Sequence, residues 1–141
     1  MVPMAADSLA AVIRLWRRSE GLTMRDVDTA DGLGRFLERS PGLSFVARIG
    51  DDVCGAVLCG HDARRGYLHH LAVAPEQRRQ GIGTALVERC LSALRDAGIG
   101  KCHLFVNIGN EAAMAFWKRS GWFERTDLHT MSRILVDSPD A

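Results

Sequence analysis

This chain of 141 residues has little that points to a large, charged partner. Eighteen Lys and Arg against seventeen Asp and Glu leave a formal charge of +1. The basic excess that nucleic acid or an acidic membrane surface selects is therefore missing. No apolar stretch approaches the ~20 residues that span a bilayer. The N-terminus lacks a basic region followed by an apolar run, so no secretory leader is expected and the reducing cytoplasm is the natural setting. Four cysteines, Cys54, Cys59, Cys90 and Cys102, form neither a CxxC pair nor a Cys/His cluster with zinc spacing. They read as small free hydrophobes, and no metal is expected. No repeat, linker or low-complexity stretch interrupts the sequence. Residues 1–141 thus read as one domain with a polar tail from about Asp137.

What is present is an ordinary globular composition, 47% apolar and 25% charged, with enough chain to bury one core. Leu9, Val12, Ile13 and Trp16 recur at helical spacing within Asp7 to Ser19. A second helix is expected over Asp28 to Ser40, ending before Pro41. The period then changes to two. Leu43 to Ile49 and Val53 to Cys59 read as a hairpin about Gly50-Asp51-Asp52, and Tyr67 to Ala74 as a third strand stopped by Pro75. Thr84 to Ala97 has one apolar face and ends at Gly98. Lys101 to Val106 reads as a short buried strand, Asn110 to Ser120 as a helix, and Trp122 to Val136 as room for two short strands. A strand, a helix and a second strand in succession suggest a βαβ unit, which together with the hairpin implies a mixed sheet.

Between the third strand and the long helix lie Arg78-Arg79-Gln80-Gly81-Ile82-Gly83. Glycine there admits close approach by a ligand and backbone angles closed to other residues. The helix that follows presents unpaired N–H groups and about half a positive charge. Together these suit a phosphate or pyrophosphate, with Arg78 and Arg79 adding charge. No Lys-Ser/Thr follows as in a P-loop, and the third glycine of a dinucleotide fingerprint is absent. The pairs Arg17-Arg18 and Arg64-Arg65 read as solvated surface.

Leu71 to Leu86 resembles the central motif of the GNAT superfamily of N-acetyltransferases, Arg/Gln-x-x-Gly-x-Gly/Ala after an apolar strand, through Arg78, Gly81 and Gly83. Asn107 to Trp122 is similar to the family's second motif, Asn-x-x-Ala-x-x-Phe-Tyr-x-x-x-Gly-Phe. The resemblance covers Leu43 to Trp122. It implies an α/β fold with a mixed, mostly antiparallel sheet splayed between two central parallel strands and helices on both faces, acetyl-CoA lying in the gap. It further implies that main-chain groups of Leu71, Ala72 and Val73 pair with the pantetheine arm. Amides from Arg79, Gln80, Gly81, Ile82, Gly83 and Thr84 would hold the pyrophosphate, and Asn107, Asn110 and Trp117 would lie beside the cofactor. The implied activity is direct acetyl transfer to a primary amine of a small molecule or peptide. A CoA-binding module without catalysis is the rival reading, and a homodimer is compatible with either.

Two departures bear on mechanism. Only Met1 to Met4 precede the first helix, where the family often has a strand. The tyrosine that can protonate the departing thiolate is replaced by Trp117, whose indole N–H is no general acid near neutral pH. The early strand also holds no carboxylate. Tyr67, His69 and His70 are therefore the candidate proton carriers, with Tyr67, His69 and Leu71 expected on one strand face and Leu68, His70 and Ala72 on the other. His61, His103 and His129 have no partner spacing and read as structural. Trp16, Phe45, Phe105, Phe116 and Trp122 read as core.

Overall fold

A computed structural model describes residues 1–137, so all but the first residue of the expected polar tail lies outside the described residues. The chain opens with β1 (Val2–Pro3), aligned antiparallel with Val46 and Phe45. This supplies in two residues the N-terminal strand that the short leader left in doubt. A turn of 3-10 helix over Ala6–Ser8 leads into α1 (Leu9–Arg17), whose Val12, Leu15 and Trp16 are fully buried. Next comes α2 (Ala30–Arg39), begun by the Thr29 hydroxyl, which accepts the Gly32 N–H at 3.0 Å.

The hairpin strands are β2 (Phe45–Ile49) and β3 (Asp52–His61), followed by β4 (Gly66–Val73). After a short 3-10 turn at Pro75–Gln77 come α3 (Ile82–Asp96), β5 (Cys102–Leu104) and α4 (Glu111–Arg119). The sheet runs in chain order, β1-β2-β3-β4-β5, antiparallel throughout except for the parallel pair β4/β5. That pair is joined by α3, as a βαβ unit requires.

The two faces of the sheet are covered by different helices. A Cβ on Gly55 would stand 3.0 Å from Leu86 and 3.1 Å from Ile82 of α3. One on Gly60, an odd number of residues along the same strand, would meet Phe36 of α2 at 2.7 Å. So α3 packs on one face, and α1 with α2 on the other, around one core of buried apolar side chains. Trp16 and Phe45 lie in that core, whereas Phe105 is 67% exposed, a correction to its expected burial. Among the described residues no helix is long and apolar enough to cross a membrane.

The two late strands expected in Trp122 to Val136 are absent among the described residues. The large apolar side chains there, Phe123, Leu128, Met131, Ile134, Leu135 and Val136, are all exposed. Only Ile134 and Val136 stand two apart, and no sustained alternation gives a strand one face to bury. The parallel pair consequently lies at one edge of the sheet. Lys101 to Val106 likewise yields only the paired Cys102–Leu104.

The Gly60 contact gives a direct check on α2 packing. Gly60→Ala should destabilise the protein by about 1–3 kcal/mol in chemical denaturation, because the Phe36 ring must yield to the new methyl. An unchanged midpoint would mean that α2 does not sit on β3 as described.

Candidate functional site

Two irregularities in β4 shape the site. The first is a bulge. Ala56 pairs with Ala72 and Leu58 with His69, so Val57 of β3 faces two residues, His70 and Leu71. His70 takes the left-handed backbone conformation at φ 55, unusual for a bulky side chain. The bulge corrects the expected alternation. His69 lies edge-on to Phe36 of α2 with ring centroids 6.2 Å apart, and His70 lies against Trp16 of α1 at 5.0 Å. Both histidines therefore face the α1/α2 side. Leu71 has crossed over: with Val73 it lines the α3 side, within 3.9 and 3.6 Å of where a Gly83 Cβ would be. Ala72 is buried and pairs with Ala56, so its main chain is turned to β3, whereas that of Val73 faces away from it.

The second irregularity is the end of the parallel ladder. Pairing runs from Gly66↔Cys102 through Tyr67↔His103 to Leu68↔Leu104 and stops, while β4 continues to Val73. Tyr67 sits inside the paired stretch, stacked on His69 at 6.4 Å and tilted on His103 at 5.7 Å. His69 and His70 sit just beyond it.

On the α3 side, Arg79 and Gly81 both have left-handed backbones, at φ 65 and 81. Left-handed residues that alternate with others in a turn can direct successive N–H groups into a concavity. Gly81 is the N-cap of α3 and provides no side-chain cap, so the first amides of the longest helix, from Ile82, Gly83 and Thr84, have no side-chain partner. The Ala85 N–H already bonds the Gly81 carbonyl at 3.0 Å. Arg79 and Gln80 are exposed, with Gln80 touching Gln77 at 3.4 Å. Arg78 turns back, its Nε donating to the Val73 carbonyl at 3.1 Å. Nothing lies within 4 Å of the Gly81 Cβ position, so the uncapped amides at the start of α3 have open space beside them.

Asn107 and Asn110 hold the far wall. Asn110 Oδ1 accepts the Ala113 N–H at 3.1 Å and caps α4. Asn107 Nδ2 donates to the Gly21 carbonyl at 3.2 Å and to Thr23 Oγ1 at 2.9 Å, tying down the loop between α1 and α2. Trp117 is half-buried, edge-on to Phe116 at 5.0 Å and to Trp122 at 5.2 Å. Phe116 itself reaches within 3.9 Å of the Gly83 Cβ position, a groove contact that the sequence reading assigned to the core.

Reading from the sequence missed Asp28. Set at the start of a predicted helix, it resembles a cap, but Thr29 performs that task. Asp28 is buried instead, its Oδ2 2.8 Å from His70 Nε2 and accepting the Arg25 N–H at 2.8 Å. Burial alone would raise its carboxyl, but the His70 hydrogen bond and the Arg25 amide prevail and hold it below the usual range. Burial and the neighbouring His70 push His69 down, favouring the neutral ring. Burial drives the Cys102 thiol up to about 12, so it is no nucleophile at neutral pH.

A profile of the acetyltransferase (GNAT) family matches residues 9–122. An acetyltransferase of Pectobacterium atrosepticum is 32% identical over 131 residues, covering 93% of this chain and 92% of that protein. N-alpha-acetyltransferase 30 of Schizosaccharomyces pombe is 38% identical over 111 residues, 75% of this chain and 72% of its own. Among solved structures, the PaiA N-acetyltransferase of Thermoplasma acidophilum in complex with coenzyme A superposes with a TM-score of 0.73 at 20% identity. The match covers 84% of this chain and 88% of that one.

The depressed His69 predicts a pH dependence of stability. As pH falls below ~6.5 the unfolded chain takes up the proton first, so stability is full above that value and declines toward the lower folded one. The melting temperature should therefore drop between pH 7.5 and 5, and His69→Gln should flatten that drop in calorimetry. The Asp28 contribution has the same sign in a lower window, lost only as pH falls below ~3.9.

Proposed function

The chain belongs to the acetyltransferase (GNAT) family, and from that footing we propose that it transfers an acetyl group from acetyl-CoA directly to a primary amine. The observation that carries this reading is the uncapped start of α3, with left-handed Arg79 and Gly81 beside it, at the side where β4 parts from β5. Amides of Arg79 to Thr84 hold the pyrophosphate, with the Arg79 charge alongside. Main-chain groups of Leu71 to Val73 pair with the pantetheine arm. Here the Val73 carbonyl is already taken by Arg78 and the Ala72 main chain is turned to β3, so Leu71 and the Val73 N–H carry most of the pairing. Leu71, Val73, Gly83 and Phe116 supply the apolar walls. Trp117, braced by Trp122, closes the groove from α4, while Asn110 caps that helix and Asn107 ties the same bank to the loop between α1 and α2.

The amine approaches from the α1/α2 side. As its nitrogen attacks the thioester carbonyl, the C–S bond breaks and the nitrogen must lose a proton. His70, or His69 through water, accepts it, and Tyr67 lies beside them. The departing thiolate, of pKa near ~8.5, takes its proton from solvent, so Trp117 need not act as an acid. The name of the S. pombe relative makes the α-amine at a protein N-terminus the first acceptor class to try.

Purified protein with acetyl-CoA should release CoA and form acetylated product with at least one of a panel of amines. The panel comprises N-terminal peptides, spermidine, free amino acids and an aminoglycoside, and product is read by mass spectrometry. CoA binding without acetylation of any of them would favour a non-catalytic CoA module.

Gly83 separates binding from stability. Its Cβ position meets only ordinary contacts, so Gly83→Ala should leave the fold as stable or up to ~1 kcal/mol more so. The methyl would stand among Leu71, Val73 and Phe116, so CoA affinity in calorimetric titration should fall at least tenfold. Unchanged affinity would remove the cofactor from this groove.

A further inference from the structure

We propose that Asp28 is a positioning residue for His70: its carboxylate holds the Nε2–H and leaves Nδ1 as the bare proton acceptor where β4 and β5 part. The proposal rests on the reading above, in which His70 takes the proton of the attacking amine. The Nε2···Oδ2 distance is 2.8 Å, and the Asp28 side chain is 5% exposed, so water does little to screen the pair. The same oxygen accepts the Arg25 N–H at 2.8 Å, which fixes the carboxylate through the backbone. Trp16 lies on the imidazole at 5.0 Å and restricts its rotation. An ionised carboxylate can only accept, so the hydrogen between them belongs to Nε2, and in the neutral ring the lone pair is that of Nδ1. Thr29 already caps α2, so this buried carboxylate is not required to begin the helix.

The step balances simply. The amine proton moves to Nδ1, directly or through water, giving an imidazolium with both nitrogens protonated. Asp28 remains ionised and stabilises that cation, and the proton then leaves to solvent. His69, the neighbouring titratable ring on β4, is favoured neutral by burial and so adds no opposing charge.

The test combines a spectroscopic and a kinetic arm. In CoA-bound protein with ¹⁵N-labelled histidine, His70 should give the Nε2–H tautomer, with a bare-nitrogen shift at Nδ1. A Nδ1–H tautomer overturns the proposal, and this arm needs no acceptor. With acetyl-CoA and the fastest amine of the panel, Asp28→Ala and His70→Gln should each lower kcat by about 10²-fold. The KM for acetyl-CoA should stay within about threefold of wild type. The double variant should be no slower than the slower single one, because the residues act as a unit. Asp28→Asn, which keeps an acceptor oxygen without the charge, should fall between wild type and Asp28→Ala, and its melting curve guards against misfolding of the alanine variant. Multiplying losses, or wild-type kcat in Asp28→Ala beside a slow His70→Gln, overturns the positioning role while leaving His70 as the base. Wild-type kcat in His70→Gln overturns both. If no amine turns over, transfer itself fails, and the tautomer still decides the role of Asp28.

Discussion

Beyond Leu68 and Leu104 the ladder between β4 and β5 stops, and from His69 onward β4 has a strand neighbour on one side only. Backbone N–H and C=O groups released in this way must find other partners, because leaving them desolvated and unpaired costs about 1–3 kcal/mol each. One such group, the Val73 carbonyl, is met by Arg78. The others face the gap, which opens toward the uncapped amides of α3. A strand with spare main-chain groups and a helix with spare amides thus line one side of the same opening. Such an opening suits an extended ligand with a negative end, which needs a strand-like partner and an anion cradle at once.

A gap of this kind needs bracing, and the loop between α1 and α2 provides it from both banks. On the β4 bank, Asp28 is tied to His70 at 2.8 Å. On the β5–α4 bank, Asn107 holds Gly21 and Thr23. Gly21 has a left-handed backbone at φ 77, and any Cβ there would collide with Asn110, so this crossing point requires glycine. The two attachments differ in physical character. The Asn107 bonds are exposed and exchange readily with water, whereas the Asp28 pair is buried and costly to break. The loop is therefore anchored firmly to the strand carrying the histidines and held lightly at the other bank.

Much of this was legible in the sequence, and what was not has identifiable causes. The helices and the first strands announce themselves by period, and the strand-to-helix turn before α3 by Gly81 and Gly83. The bulge left no mark, because Tyr67 to Val73 reads as an unbroken strand and a bulge residue is usually sought at glycine, not histidine. Its position depends on how Val57 and Leu58 of β3 meet β4, a tertiary fact. Asp28 was hidden for a similar reason: Asp before a helix is what a cap looks like, and only burial against His70 reveals another use. The late segment erred the other way, since its apolar residues suggested strands while only Ile134 and Val136 alternate and all of its large side chains from Phe123 on stay exposed.

The bulge also reconciles two demands that a regular strand cannot meet together. In strict alternation, His69 and Leu71 would share a face, and either the apolar wall of the groove or the histidine pair would be misdirected. Inserting His70 in a left-handed conformation turns the consecutive residues His69 and His70 toward α1 and α2. It then sends Leu71 across to α3 with Val73. Such a conformation costs of order 1–3 kcal/mol for a non-glycine residue and persists only where its surroundings over-determine it. Trp16 beneath the ring and Asp28 at its Nε2 are those surroundings. The contacts that hold the strained backbone are thus the ones that orient the imidazole.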